Sequence, residues 1–208
     1  MTVLFYLSAV VSAYLLGCSN MALYLSKYKG IDLREAGSKN LGASNAMVQL
    51  GWRAGILVGL HDIGKAFLSV LAAKLLWPQL PLIGAAAGVA CVLGHMFPFY
   101  LKFRGGKGFA AYLGMTLALN WRFALVVMLI VVLVTLITDY IVVGTVTTVI
   151  SVPAYLGWTE RSPLLFFVLC IASAVILWKH RENYVRIYRG TEIGLRRANR
   201  GDYRTTKR

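Results

Sequence analysis

Long apolar runs separated by short polar connections dominate this chain. A helix needs about 20 residues to cross the hydrocarbon core of a bilayer, and the first runs, at 3–25, 54–76 and 81–101, meet that length. Further runs lie at 108–120, 122–138, 140–158 and 163–179. The pattern predicts an all-α, polytopic transmembrane helix bundle with about seven crossings, or five if the short middle runs pair or re-enter.

The composition supports a membrane protein with one compact domain. Hydrophobic residues make up 58% of the 208 residues and charged residues only 14%, whereas about a quarter of a typical soluble domain is charged. The mean hydropathy is +0.66. We expect one integral-membrane domain over residues 1–192, followed by a basic and flexible tail over residues 193–208.

The positive charges lie mainly on one side of the predicted bundle. Most of the 22 lysines and arginines fall before the second run, after the third run and after the last run. The opposite connections hold only Arg122 and Arg161, with Lys74 near their edge. The positive-inside rule then predicts an N-terminus outside and a C-terminus in the cytoplasm. The net charge of +14 therefore indicates an anionic leaflet or anionic substrates, and this clustering argues against nucleic acid as a partner.

The cysteines give no sign of metal or redox chemistry. Cys18, Cys91 and Cys170 each lie inside an apolar run, without the spacing of a metal site or a disulfide framework. We expect small buried residues there, and we predict neither a metal site nor a cofactor. The first run lacks a basic start and a small-residue stop, so no cleavable signal is expected.

The connection after the third run combines glycines with a cation. Gly105, Gly106 and Gly108 surround Lys107, and a turn without Cβ atoms can direct several backbone N–H groups to one point. A lysine at that point suits a phosphate group. The alternative is an ordinary flexible basic turn between two membrane helices.

The first connection is rich in small polar residues. Residues 37–45 include two serines, two asparagines and two glycines, and the chain turns helical near Ala46. Serine and asparagine cap helix starts, and a helix start attracts anions. The alternative is an ordinary capped interfacial or re-entrant helix.

Ionisable residues also interrupt the apolar runs. Asp62 and Lys65 share a helical face beside His61, and His95 precedes Pro98, which should break the third helix. Charged groups inside membrane helices usually mark a site or a pathway. The alternatives are a structural ion pair and a packed histidine at a kink.

The last run ends in a third polar stretch. If the helix continues, His180 and Asn183 lie on one face with Tyr184 and Arg186 adjoining, whereas Arg181 points elsewhere. Beyond this stretch the chain is basic and polar without periodicity, which favours a disordered or lipid-associated tail.

Taken together and in this order along the chain, the three polar stretches resemble the motifs of the bacterial membrane glycerol-3-phosphate acyltransferases that use acyl phosphate, the PlsY type. The family motif Gly-Ser-Gly-Asn-x-Gly-Ala-Thr-Asn corresponds to residues 37–45. The motif Gly-His-x-Phe-Pro with Phe-x-Gly-Gly-Lys-Gly corresponds to residues 94–108, and His-Arg-x-Asn with a later Arg and Gly-x-Glu to 180–192. The chain departs at Lys39, which replaces a glycine, at Ser44, which replaces a threonine, and at Val48, where the family usually carries an arginine.

On this resemblance, our hypothesis places catalysis on residues from all three motifs: Ser38, Lys107, His180 and Asn183. The residues expected to bind substrate are Gly37, Lys39, Asn40, Gly42, Ser44, Asn45, Asp62, Lys65, His95, Gly105, Gly106, Gly108, Arg181 and Glu192. Lys107 and the glycine turn would hold one phosphate, and the first motif would hold the other or orient the hydroxyl. His180 and Asn183 would position glycerol phosphate or stabilise the oxyanion.

The resemblance implies transfer of a fatty acyl group from acyl phosphate to the 1-hydroxyl of sn-glycerol 3-phosphate. The products are lysophosphatidic acid and phosphate, in the first step of phospholipid synthesis. No general base is identifiable, and the phosphate of the donor could accept the proton. We expect a multi-pass protein of the bacterial cytoplasmic membrane, with its active site on the cytoplasmic face and an acyl-phosphate-forming enzyme as a candidate partner.

Two alternatives belong to other functional classes. A diverged homologue with altered or no catalysis would explain the departures at Lys39 and Val48. An organophosphate or lipid transporter would also need phosphate-binding loops, but transporters usually show internal repeats and sites near the bilayer midplane, and no repeat is visible in this sequence.

Overall fold

The computed structural model describes residues 1–200, with side chains as far as residue 197. In this part of the chain every regular element is a helix, and no strand occurs. The helices are α1 Thr2–Cys18, α2 Met21–Lys29, α3 Ala43–Leu50, α4 Trp52–Leu76, α5 Ile83–Met96, α6 Phe109–Leu119, α7 Trp121–Thr138, α8 Ile141–Thr159, α9 Pro163–Lys179, α10 Arg181–Tyr188 and α11 Leu195–Arg200. A single 3-10 turn, Phe99–Leu101, follows α5.

Several of these segments are long and apolar enough to cross a membrane. There are five within the described residues: Thr2–Lys29, Trp52–Leu76, Ile83–Leu101, Trp121–Thr138 and Ile141–Thr159. The pair α9 and α10 adds a sixth if it is counted as one span bent by 44°, and α6 is a shorter apolar helix of 11 residues. The predicted helical membrane bundle is confirmed; the orientation of the termini stays a prediction.

Side-chain caps explain where several helices begin. Asn20, Asn120 and Ser162 each accept a hydrogen bond from the backbone N–H three residues further on, at the starts of α2, α7 and α9. The cap at Asn20 divides the first predicted run into two helices. This break leaves the carbonyl of Ser19 free to accept a hydrogen bond from Lys65 Nζ at 2.7 Å.

Helices α1 and α5 run in parallel and pack closely. The Tyr6 hydroxyl donates to the carbonyl of Pro81 near the start of both helices, and the Tyr14 hydroxyl donates to Phe97 O at 2.8 Å near their ends. A Cβ on Gly94 would overlap the backbone of Tyr14, so this crossing requires glycine. The start of the chain therefore lies at the opposite end of the bundle from the end of α5.

All three polar motifs lie at the end of the bundle where α5 and α9 finish, called here the site end. Lys179, the last residue of α9, donates from Nζ to the carbonyl of Met96, the last residue of α5, at 3.1 Å. Gly108, at the start of α6, packs against Met96 and Ile176. The loop over residues 30–42 joins this end through Leu41, whose carbonyl faces Gly106.

The tail predicted to be flexible begins at residue 193. Residues Leu195–Arg200 within it form α11, while residues 201–208 lie outside the part that the structure describes. The flexibility of the tail thus stays a prediction. Cys18 and Cys91 are buried and Cys170 is half-buried, all as free thiols.

Candidate active site

The glycine turn folds back onto the end of α5. The N–H groups of Gly105 and Gly106 donate to the carbonyls of Met96 and His95, both at 3.1 Å. A Cβ on Gly106 would overlap the imidazole of His95. Close packing therefore requires these two glycines, and two of the N–H groups expected to cradle a phosphate are already used.

Beyond these two bonds, the turn still offers donors. The N–H groups of Lys107 and Gly108 have no backbone partner among the described residues. Gly108 has φ 91° and precedes α6, whose first N–H groups lack partners inside the helix. Donors for an anion thus remain at Lys107, Gly108 and the first turn of α6.

The Lys107 side chain points to the third motif. Its half-buried ammonium donates a hydrogen bond to Asn183 Oδ1. Burial, together with the positive charge of Arg186, lowers the pKa of Lys107 to about 8, although Glu192 and Glu182 oppose this effect. Lys107 is therefore a cation in a partly desolvated position, where its attraction for a phosphate is stronger than in water.

Asn183 is held in turn by a carboxylate. Its Nδ2 donates to Glu192 Oε1 at 2.5 Å, and Arg186 Nε donates to the other oxygen of Glu192 at 2.6 Å. We call Lys107, Asn183, Arg186 and Glu192 the Lys107 cluster. Glu182 also lies near the cluster, with Oε2 3.8 Å from Arg186 Nη1, but its side chain is 68% exposed and therefore screened by water. The less exposed members are two cations and one carboxylate, which suits a phosphorylated ligand.

The predicted catalytic His180 is buried at the junction of α9 and α10. Its Nδ1 lies 2.8 Å from the carbonyl of Ile176, so Nδ1 carries the proton and donates this bond. Nε2 is then an acceptor, and it has no hydrogen-bond partner in residues 1–197. A neutral His180 in this form can accept a hydrogen bond from a hydroxyl but cannot donate one to an oxyanion.

The first motif is organised around Asn45. Its Nδ2 lies within 3.0–3.1 Å of the carbonyls of Leu33, Ala36 and Asn40, and its Oδ1 accepts from Ser38 N at 3.0 Å. Both polar atoms of the Asn45 side chain therefore serve the loop itself. Its predicted contact with substrate stays a prediction, but the structure gives it a clear role in shaping the loop.

Other polar side chains of this loop are available to contact a ligand. Ser38, Lys39 and Ser44 are exposed, and their side chains form no hydrogen bond within the described residues. Lys39 adopts φ 57°, a left-handed conformation that favours glycine and is costly for lysine.

Two glycines of this loop pack against asparagine side chains, and Val48 follows in the next helix. Gly37 and Gly42 lie against the side chains of Asn45 and Asn40, respectively. Val48 is half-buried in α3.

The ionisable residues inside the membrane helices form a separate group. Lys65 Nζ lies 2.9 Å from Asp62 Oδ1, 2.9 Å from His95 Nδ1 and 2.7 Å from the carbonyl of Ser19. Asp62 Oδ1 also lies 3.2 Å from His95 Nδ1. We call Asp62, Lys65, His95 and the Ser19 carbonyl the Asp62 network. It joins α1, α4 and α5, and it reaches the glycine turn where His95 packs against Gly106.

The network also has an outer member, His61. Its Nε2 lies 3.0 Å from Ser19 Oγ, and its Nδ1 lies 3.5 Å from Asp62 Oδ1. The structure thus favours the interpretation of Asp62 and Lys65 as a buried structural ion pair. Their binding to substrate, as for His95, stays a prediction.

Arg181 does not join the Lys107 cluster. Its Nη1 donates to the carbonyl of Trp178 at 3.1 Å, and its guanidinium lies 4.4 Å from the centre of the Trp178 ring. Helical spacing also predicts another face for Arg181, and its contact with substrate stays a prediction. In the structure it is a cation stacked on an exposed tryptophan.

Two cations near the site were not among the predicted site residues. Arg186 pairs with Glu192, and Lys179 ties α9 to Met96. Arg186 could have been found from its i, i+3 spacing to Asn183. The bond of Lys179 to a backbone carbonyl leaves no sequence signal, since any exposed carbonyl at a broken helix end could accept it.

Comparison with known sequences gives a consistent result. The family described as glycerol-3-phosphate acyltransferase matches residues 7–190. A glycerol-3-phosphate acyltransferase of Geotalea daltonii is 37% identical over 184 residues, which cover 88% of this chain and 94% of the relative. One from Coxiella burnetii is 38% identical over 188 residues, covering 90% and 96% respectively.

Solved structures give the same result at the level of the fold. The crystal structure of PlsY, an integral membrane glycerol 3-phosphate acyltransferase in its glycerol 3-phosphate form, superposes with a TM-score of 0.85. It is 34% identical in sequence, and the match covers 91% of this chain and 95% of that one. The three motifs, their convergence at one end of the bundle and these matches together show that this chain belongs to the glycerol-3-phosphate acyltransferase family.

Proposed function

We propose that this protein transfers a fatty acyl group from acyl phosphate to the 1-hydroxyl of sn-glycerol 3-phosphate. The observation that carries the proposal is the Lys107 cluster, a positively charged group at the end of an apolar bundle. Both substrates carry a phosphate, and the donor also carries a long acyl chain. A group of cations at the end of an apolar helix bundle suits both features.

In this reaction the hydroxyl oxygen of glycerol 3-phosphate attacks the acyl carbonyl carbon. A C–O ester bond forms, the bond between the carbonyl carbon and the phosphate oxygen breaks, and inorganic phosphate leaves. The hydroxyl proton must leave as well, and the departing phosphate can accept it. The protein therefore contributes mainly by positioning and by electrostatic stabilisation.

The role of each residue follows from the hydrogen-bonding groups that the fold leaves unpaired. Lys107, with the N–H groups of Lys107 and Gly108, binds one phosphate and stabilises the charge that grows on it. His180 Nε2 accepts a hydrogen bond from the attacking hydroxyl and orients it. Ser38, exposed on the loop held by Asn45, binds the second phosphate or the hydroxyl.

The location follows from the distribution of charge. The cationic connections and the Lys107 cluster share the site end, which by the positive-inside rule supports a cytoplasmic position for this end. We infer a multi-pass protein of the bacterial cytoplasmic (inner) membrane that draws soluble glycerol 3-phosphate from the cytoplasm. An acyl-phosphate-forming enzyme that works upstream would supply the donor.

The decisive assay follows radiolabelled glycerol 3-phosphate into chloroform-soluble product. Purified protein is given acyl phosphate, acyl-CoA or acyl carrier protein in separate reactions. Product formed with acyl phosphate alone supports the proposal, and product formed only with another donor assigns a different acyltransferase. No product with any donor, together with binding of glycerol 3-phosphate, indicates a catalytically silent homologue; uptake of the label into proteoliposomes indicates a transporter.

A further inference from the structure

The chain that follows the third motif crosses to a corner of the bundle formed by other helices. Asp139 lies between α7 and α8, and its backbone carbonyl accepts from Leu195 N at 2.9 Å. Its Oδ1 accepts from Arg196 N at 2.8 Å. Residues 191–196 thus form a short segment, called here the strap, that connects the Lys107 cluster to the α7–α8 corner.

The outer end of the strap is shaped to fit this corner. Asp139 has φ 71°, a conformation that aspartate and asparagine tolerate better than most residues. A Cβ on Gly194 would overlap the carboxylate of Asp139, so only glycine lets the strap approach so closely. Arg196 also donates from Nη2 to the carbonyl of Leu136, at 3.1 Å, near the end of α7.

The inner end of the strap lies in the proposed site. The N–H groups of Thr191 and Glu192 both donate to the carbonyl of Arg186, at 2.8 and 3.2 Å. The carboxylate of Glu192 accepts from Asn183 and Arg186, and Asn183 in turn accepts from Lys107. Hydrogen bonds at both ends of the strap, together with the strap backbone between them, therefore connect Asp139 to Lys107.

We propose that Asp139 is a positioning residue for acyl transfer. By anchoring the strap it restricts Glu192, which orients Asn183 and Lys107 toward the phosphate of a substrate. Without the anchor, Glu192 would sit on a segment that leaves α10 through Gly190, which has φ 66°. Its ordering would then cost conformational entropy each time the site forms. This inference rests on the proposed function, because it assigns a residue to that reaction.

The first test compares substitutions at Asp139. Asp139→Ala removes the acceptor at Oδ1 and disfavours the left-handed backbone, whereas Asp139→Asn keeps both features. We expect the alanine variant to lose about tenfold in kcat/KM, since small misplacements in a site can cost up to a hundredfold, and the asparagine variant to stay within about twofold. Glu160→Ala, at the exposed end of α8, is the matched control for an acidic corner residue and should be unchanged.

The second test asks whether Asp139 acts through Glu192. In a Glu192→Ala background, adding Asp139→Ala should cause no further loss, because the strap then has no side chain to position. Losses that multiply would overturn the inference, as would full activity of Asp139→Ala. Gly194→Ala perturbs the same contact from the other side, so it provides a second variant if Asp139→Ala does not fold.

A third measurement does not depend on catalysis. Limited trypsin digestion of the purified protein should cleave Asp139→Ala faster than wild type at Arg189, just before the strap, or at Arg196, its last residue. Equal cleavage rates would contradict the anchoring role. If the wild-type protein transfers no acyl group from acyl phosphate, the proposed function fails. If it does and the three tests on Asp139 are negative, only this inference fails.

Discussion

Two groups of charged residues lie close together in space in this fold. They differ in how far their hydrogen-bonding groups are buried and paired. In the Asp62 network the side chains of Asp62, Lys65 and His95 are only 2–3% exposed, and the Lys65 ammonium has three close partners. In the Lys107 cluster, Arg186 is 31% and Glu192 is 14% exposed. The unpartnered N–H groups of the glycine turn lie next to this second group.

The difference separates a structural from a chemical role. The Lys65 ammonium is surrounded by Asp62, His95 and the Ser19 carbonyl, so the main effect of this buried pair is to hold α1, α4 and α5 together. A partly exposed cation with unused donors around it can still bind a phosphate. Both groups contain ionisable residues of the kind that a sequence marks as functional. Only the hydrogen-bonding groups that remain unpaired distinguish the two.

The largest effect should come from breaking the Asp62 network. Asp62→Asn leaves the Lys65 ammonium buried without its counter-charge, which typically costs about 3–5 kcal/mol. We expect a marked fall in thermal stability in detergent and nearly unchanged turnover per folded molecule at low temperature. The control is Asp32→Asn, which removes an exposed, solvent-screened pair with Arg34 and should leave the thermal stability nearly unchanged. Normal stability with abolished acyl transfer would instead make Asp62 a substrate ligand.

The converse result is expected at the Lys107 cluster. Lys107→Ala removes the cation that we propose binds the phosphate, and losing one such stabilising donor typically costs about 10²–10³ in rate. Stability should change little, because Asn183 keeps its bond to Glu192. Lys102→Ala removes an exposed lysine of the same connection and should have little effect on the initial rate. A Lys107→Ala enzyme with full activity at ordinary substrate concentrations would contradict the assignment.

The acidity of Lys107 gives a smaller and independent test. Its pKa is lowered to about 8, so the free enzyme carries the charge below that pH and loses it above. If the charged form binds the phosphate, kcat/KM should be level from about pH 7 to 8 and then fall up to about tenfold per pH unit. In Lys107→Arg the guanidinium stays charged, so whatever activity this variant keeps should not decline above pH 8. An identical decline in both enzymes would assign the titration to another group.

How much of this the sequence could predict depends on the kind of interaction. The apolar runs predicted the helices to within a few residues, since length and hydrophobicity are local properties. A break at Ser19 interrupts the first run, and it was missed because only two polar residues, Ser19 and Asn20, separate the apolar residues on either side. That the three motifs meet at one end followed from the alternation of spans.

What the sequence could not predict are the hydrogen-bond partners. Gly105 and Gly106 look like a phosphate cradle, yet tertiary packing against His95 uses their N–H groups and their lack of side chains. Asn45 looks like a ligand, yet its loop takes all its bonds. Asp139 carries no motif at all. Such roles depend on contacts between residues far apart in the chain, which residue type and spacing do not determine.

The smallest expected effect concerns Lys39, which stands outside both groups in a left-handed conformation. Lys39→Gly should stabilise the loop by about 1 kcal/mol, because glycine adopts φ 57° without strain. If Lys39 also replaces the charge that the resembled family carries at position 48, the same change should raise KM for the phosphate substrate several-fold. Adding Val48→Arg should then restore a low KM while keeping the gain in stability. Thermal unfolding and initial rates of the single and double variants measure both effects. A Lys39→Gly enzyme that is more stable with unchanged KM would show that the lysine only strains the loop and takes no part in binding.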